Sequence, residues 1–226
     1  KDSEIKDRTV TASLSYQLGD TNYRADLKSD TKRNDYFSFQ SGDVIHETFS
    51  LSARHDFGSK LDTTVKGRAS LLSYQFDDIE ANNQDRDFFD QEATLQLSYV
   101  PKPGLNTSLT LRIRENQLIY MRRSRTGDNK TTQTYSIKPS LTKSFGPKLS
   151  ATQSYEISAD YTFYTYNDDA NFLIRSFNVT TGLAWKIVDG LRLAFEHKYR
   201  GQDEGAYAKD EVGVERYGRG SERDEQ

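Results

Sequence analysis

Residues 147–200 read PKLSATQSYEISADYTFYTYNDDANFLIRSFNVTTGLAWKIVDGLRLAFEHKYR. Every second residue is the unit of meaning here. Leu149, Ala151, Tyr155, Ile157, Ala159, Tyr161 and Phe163 fall on one side, against Ser150, Thr152, Ser154, Glu156, Ser158, Asp160 and Thr162. After a polar break, Phe177, Val179, Thr181, Leu183, Trp185 and Ile187 oppose Ser176, Asn178, Thr180, Gly182, Ala184 and Lys186. Past Val188-Asp189-Gly190 the pattern returns, with Leu191, Leu193, Phe195, His197 and Tyr199 opposing Arg192, Ala194, Glu196, Lys198 and Arg200. Period-two alternation of this length specifies β-strands with one apolar and one polar face.

The same rhythm extends outward through residues 8–202. Val10 to Leu18, Phe49 to Phe57, Leu61 to Leu71, Ala93 to Tyr99, Leu105 to Ile113 and Tyr135 to Phe145 each alternate, giving nine clear strands in all. Residues 19–45 stay open between one long polar loop and a loop hiding a short strand around Tyr23–Leu27. Residues 203–226 are a polar loop or the start of a tenth strand near Val212–Tyr217.

Composition agrees with two-faced strands. The chain of 226 residues is 34% hydrophobic with a mean hydropathy of -0.84, below the usual globular share of about 45–50%. Disorder conflicts with 14 Tyr, 12 Phe and sustained alternation. A transmembrane barrel reconciles the numbers, because it needs apolar residues only at alternate strand positions. No run of about 18 apolar residues offers a membrane helix. Without cysteine there is no disulfide, thiolate metal site or cysteine nucleophile. Lys1 carries neither initiator Met nor signal peptide, as expected of a processed product or an excised segment.

Connections alternate in length. GSK, PKPG, GP and VDG are tight, whereas those between them run to a dozen residues or more. Phe57, Tyr99, Phe145 and Trp185 lie within a few residues of tight turns. Phe76, Tyr120, Tyr135, Tyr161, Phe163, Tyr164, Tyr166, Phe172 and Tyr199 lie toward the long connections. Two aromatic belts around an aliphatic middle match a bilayer with two interfaces. A soluble β-sandwich does not require such sorting, nor a strand as long as Lys148–Tyr166, since sandwich strands run about 3–10 residues.

With these features the chain resembles a Gram-negative bacterial outer-membrane β-barrel over residues 9–202. The resemblance is to a class, carried by alternation, loop asymmetry and aromatic girdles. It implies an all-β, antiparallel up-and-down transmembrane β-barrel, with the lipid bilayer and lipopolysaccharide as partners. Nine or ten visible strands and a polar ending make it a segment of a larger barrel, or a single domain spanning 1–226. The aromatics expected at the membrane interfaces are Phe57, Tyr99, Phe145, Trp185, Tyr161, Phe163 and Tyr199.

Chemistry is sparse. His55 and His197 fall in the apolar sets, and His46-Glu47 is too common a pair to mark a base. There is no G-x-S-x-G and no H-E-x-x-H, so no enzyme, metal or cofactor is expected. The acidic run Asp77, Asp78, Glu80, Asp85, Asp87 and Asp90 lacks the spacing of a calcium loop and reads as solvated. Arg122, Arg123 and Arg125 suit a charged loop or lipopolysaccharide phosphates. A net charge of -3 speaks against nucleic acid.

The polar face is the candidate site. Parity places Arg54, Lys66, Arg68, Arg112, Arg114, Lys138, Lys186, Arg192, Lys198 and Arg200 in the lumen, against Asp56, Asp62, Glu156, Asp160 and Glu196. That excess favours anions in a water-filled channel, unless the charges pair across strands and hold the wall together. Three function classes follow. The first is a pore for solute transport. The second is a scaffold or translocon enclosing a protein partner or plug, such as a secretion substrate or an electron-transfer cytochrome. The third, a surface enzyme, has least behind it.

Overall fold

A computed structural model describes residues 4–35, 42–76, 85–209 and 215–225, with side chains placed over 7–31, 42–76 and 85–206. It is a single sheet. The strands are β1 (Glu4–Leu18), β2 (Thr21–Asp35), β3 (Gly42–Phe57), β4 (Leu61–Phe76), β5 (Arg86–Lys102) and β6 (Leu105–Tyr120). They continue with β7 (Lys130–Phe145), β8 (Leu149–Tyr164), β9 (Phe172–Val188), β10 (Leu191–Lys209) and β11 (Glu215–Glu225). Each strand pairs antiparallel with the next, in the order β1 to β11. The described residues contain no α-helix; two 3₁₀ turns, Arg123–Asp128 and Asp168–Ala170, cap long connections.

Two strands go beyond the nine read from alternation. β2 fills the stretch left open, pairing along its whole length with β1 and β3. The joint is a two-residue Gly19-Asp20 turn, so the short-then-long rhythm of connections begins at the first hairpin. β10 runs on through Lys209, and β11 begins at Glu215, within the stretch Val212–Tyr217 where a further strand is expected. The connection 210–214 lies outside the described residues.

The nine strands are also longer than their alternating portions. β3, β5, β7 and β9 begin five to seven residues before Phe49, Ala93, Tyr135 and Phe177, and β6 continues seven beyond Ile113. In these extensions polar residues occupy both faces, so alternation fades while backbone pairing continues. Residues 86–91 and 115–120, which read as loop, are therefore strand.

All five tight turns carry a glycine at positive φ, from 56° at Gly19 to 89° at Gly190. Only glycine adopts that region without a Cβ penalty, and it lets each hairpin reverse within a few residues. Pro139 interrupts rather than shifts the sheet. Ile137 pairs with Ile157 and Ser140 with Ser154, in unchanged register, and the intervening pairs to β8 are missing because proline has no N–H to donate. Lys138 and Glu156 bridge the gap with an ion pair of 3.3 Å.

A sheet of this kind has little interior. Leu173 is the one fully buried hydrophobic residue among those described, while large apolar side chains from Val10 to Tyr199 stand exposed. One tight spot lies at the long-connection end. A Cβ on Gly42 would overlap the backbone carbonyl oxygen of Gln75 and press on the Phe76 Cα at 3.0 Å. Gly42→Ala is expected to destabilise the β3–β4 pair by about 1–3 kcal/mol, the usual range for overpacking. Amide exchange of β3 and β4 against that of β8 and β9 would measure it.

Candidate functional site

The register sorts the side chains into two faces. Tyr16, Tyr23, Ala53, Val65, Leu95, Leu111, Ile137, Ile157, Phe177 and Gly201 form one row of register partners across ten strands. Every member is apolar or glycine. This row lies on even positions of β1 and odd positions of β2–β10, and the remaining positions form the polar face.

The row also measures the stagger of the sheet. Tyr16 precedes the strand end Leu18 by two residues, but Gly201 lies ten beyond Leu191, a drift of eight residues over nine strand-to-strand steps. At about 3.3 Å per residue and about 4.8 Å per strand, level turns require the strands to lean by about 30°.

Charge on the apolar face is confined to two margins. Lys102 and Lys143 sit within two residues of tight-turn strand ends. Arg8, Glu47, Glu115, Arg175 and Asp203 lie ten or more residues from those ends, with Asp43 and Asp87 farther still. Between the margins no Asp, Glu, Lys or Arg occupies the apolar face among the described residues. From the Lys143 level, two residues in, to the ten-residue level is eight residues; at about 3.3 Å each, leaning about 30°, they give a charge-free band about 23 Å high.

Polar groups inside the band are paired or few. The His55 Nδ1 lies 2.6 Å from the Thr21 hydroxyl, with the ring against Phe57, and Thr181 donates to Gln153 at 2.7 Å. His197 stands exposed on the same face. At the upper margin the face turns hydrophilic. Gln117 and Gln133 donate to Glu115 at 2.7 and 2.9 Å, and Arg175 pairs with Asp203 across β9 and β10.

The aromatics divide between faces. Phe57, Tyr99, Phe145 and Trp185 lie on the apolar face within three residues of tight-turn strand ends, and Tyr161, Phe163 and Tyr199 share that face higher up. Tyr161 stacks on Phe163 and meets Tyr135 edge-on at 6.0 Å. Phe76, Tyr120, Tyr164 and Phe172, grouped by sequence with the upper belt, instead occupy polar-face positions. Two of them anchor cations: Arg125 lies 4.4 Å over Tyr120, and Lys130 lies 5.7 Å over Tyr164.

All ten candidate cations from Arg54 to Arg200 lie on the polar face. Arg54 meets Asp62 at 2.5 Å, Arg114 meets Asp90 at 2.5 Å, Arg112 meets Glu92 at 3.8 Å and Lys198 meets Glu196 at 2.6 Å. Hydroxyls stitch the same face, with Ser13 donating to Asp26, Thr134 to Asp160, and Thr142 paired with Thr152. Among the described residues, Lys66, Arg68 and Arg192 have no carboxylate within 4 Å, although Arg68 is the register partner of Glu92.

Extended strands change the charge balance. They add Arg24, Lys28, Arg86 and Lys130 to this face, but also Asp7, Asp26, Asp30, Asp90, Glu92 and Glu204. Fourteen cations now stand against eleven carboxylates among the described strand side chains, so the excess falls from five to three. The missed carboxylates had no alternation to betray them.

Other candidates resolve separately. His46 lies 3.1 Å from the Ser70 hydroxyl on the polar face, while Glu47, its neighbour in an extended strand, points to the opposite face. No group of three metal-ligating residues assembles among the described residues. Asp85 accepts the Phe76 N–H at 2.8 Å and Asp90 holds Arg114, while Asp77, Asp78 and Glu80 lie outside the described residues. Of the loop arginines, Arg125 donates to Asp128 at 2.7 Å, and this contact raises its affinity for its proton. Arg122 immediately precedes the same turn and Arg123 opens it.

No known protein family and no curated protein matches the chain.

Proposed function

We propose that the chain is the wall, or a segment of the wall, of a bacterial outer-membrane β-barrel that forms a channel for small solutes. The charge-free band carries this proposal. Membrane barrels present an apolar band about 25 Å tall to lipid, and the apolar face here keeps charge out over about 23 Å. In water the same face would be an exposed apolar surface far larger than soluble monomers tolerate, and nothing among the described residues covers it. Lipid covers it without further protein.

In this arrangement the tight turns face one compartment, and the long connections, with strand extensions polar on both faces, project beyond the other interface. Lipopolysaccharide is the partner at that upper margin. Closure runs through the outer edges of β1 and β11, each of which has one neighbour among the described pairings. The polar face lines the lumen, where its ion pairs and hydroxyl bridges replace water as hydrogen-bond partners. Its net positive balance favours anions.

The absence of cysteine makes a direct test available. Single cysteines placed along β6 in the vesicle-embedded protein should alternate in reactivity toward a charged, water-soluble maleimide. Ser108, Thr110 and Arg112 positions should label, and Leu109, Leu111 and Ile113 positions should not. Beyond Glu115 the alternation should disappear. Equal labelling of both sets within the band would end the membrane proposal.

A further inference from the structure

At the tight-turn end of the polar face, three cations stand in one line. The Lys186 N–H donates to the Lys148 carbonyl at 2.7 Å, and Lys186 is the direct register partner of Arg192. Lys148, Lys186 and Arg192 thus occupy matching positions at the ends of β8, β9 and β10, about 4.8 Å apart from strand to strand. Like charges placed directly opposite each other in a sheet are destabilising. Several other cations of this face have a carboxylate beside them, as in Arg54 with Asp62 and Lys138 with Glu156.

Here the compensation is incomplete. Asp189 reaches Lys186 at 2.5 Å but is 97% exposed in its turn, and exposed pairs of this kind contribute little. Among the described residues, Lys148 and Arg192 have no carboxylate within 4 Å. The three cations border a cavity of 520 Å³, together with Ser144 and Ser150. Ser144 and Ser150 are register partners, so their hydroxyls sit side by side one step farther along the face. Ala184, opposite Ser150, leaves the floor low.

We infer that this row binds a small oxyanion of the phosphate class. Arg192 supplies a planar guanidinium fork matched to two oxygens, Lys148 and Lys186 supply point charges, and the serine hydroxyls donate to the remaining oxygens. The bound anion would relieve the repulsion between Lys186 and Arg192. This site needs no membrane: it stands on one end of the polar face whether lipid or another protein covers the apolar side.

Isothermal titration of the folded full-length protein with millimolar inorganic phosphate, against chloride at matched ionic strength, tests the inference. Wild type should bind phosphate saturably. The Lys186→Ser, Arg192→Ser double variant should bind at least tenfold more weakly, yet unfold in chloride at the same temperature as wild type or higher, because the like-charged pair is gone. Lys66→Ser, on the same face but outside the row, should keep wild-type phosphate affinity. Equal heats in phosphate and chloride, or a double variant that binds like wild type, would overturn the site. A general salting effect of phosphate would persist in the double variant and so count against it.

Discussion

Leu95→Arg should destabilise the protein in a bilayer by about 2–4 kcal/mol, whereas Gln96→Arg, one residue along the same strand, should change stability by less than about 1 kcal/mol. Leu95 lies in the central apolar row between Val65 and Leu111, seven residues from the tight-turn end of β5. A cation there meets the middle of the charge-free band, where barrels lose most on gaining an arginine. Gln96 is exposed on the polar face, with Thr64 and Thr110 as register partners, so an arginine there stays hydrated. Urea unfolding in phospholipid vesicles measures both variants. The contrast isolates lipid from packing: in a sheet covered by another protein, Leu95→Arg would instead break association, and its cost would depend on protein concentration.

The faces that make this contrast possible were legible in the sequence because an apolar cover and exposure to water would act on alternate residues. Leu149 to Phe163 and Leu105 to Ile113 announce their strands for that reason. β2 was harder. Its apolar set is only Tyr23, Ala25 and Leu27 before Ser29 and Thr31, and its polar set, Arg24, Asp26, Lys28 and Asp30, looks like a solvated loop. What makes it a strand is pairing with β1 and β3, in which Asp26 accepts from Ser13 and from Arg24. The strand extensions were hidden by the same logic. Once both faces meet water, nothing selects for alternation, and only the backbone ladder holds Arg86–Gln91 against Glu115–Tyr120.

Cross-strand chemistry was the least visible part. Parity put Arg114 on the polar face, but no local rule joins it to Asp90, 24 residues away and inside a stretch that reads as loop. The stagger of eight residues is a sum of register choices made hairpin by hairpin, and each depends on a turn. Phe76, Tyr120, Tyr164 and Phe172 were grouped with the upper belt by distance from a loop, and the register instead puts them on the polar face. Their side chains serve the strand tops, not the apolar face.

In the proposed channel, reversing three charges should reverse the selectivity. The described polar face carries an excess of three cations, and each cation replaced by glutamate changes the balance by two. Lys66→Glu, Arg68→Glu and Arg192→Glu together take the excess from three cations to three anions. Among the described residues, none of the three side chains has a carboxylate within 4 Å, so their removal leaves no broken ion pair behind. In a tenfold potassium chloride gradient a fully selective pore would give a reversal potential of about 59 mV, and a weakly charged lumen gives a fraction of that. Wild-type channels in planar bilayers should reverse on the anion-selective side, and the triple variant on the cation-selective side. The shift should shrink in concentrated salt, because at about 1 M the Debye length is near 3 Å and a lumen charge no longer reaches across the pore. A wild-type channel already selective for cations would show that unpaired charge does not govern permeation. The paired carboxylates, Asp62 and Asp90 among them, would then be the groups that face the passing ion.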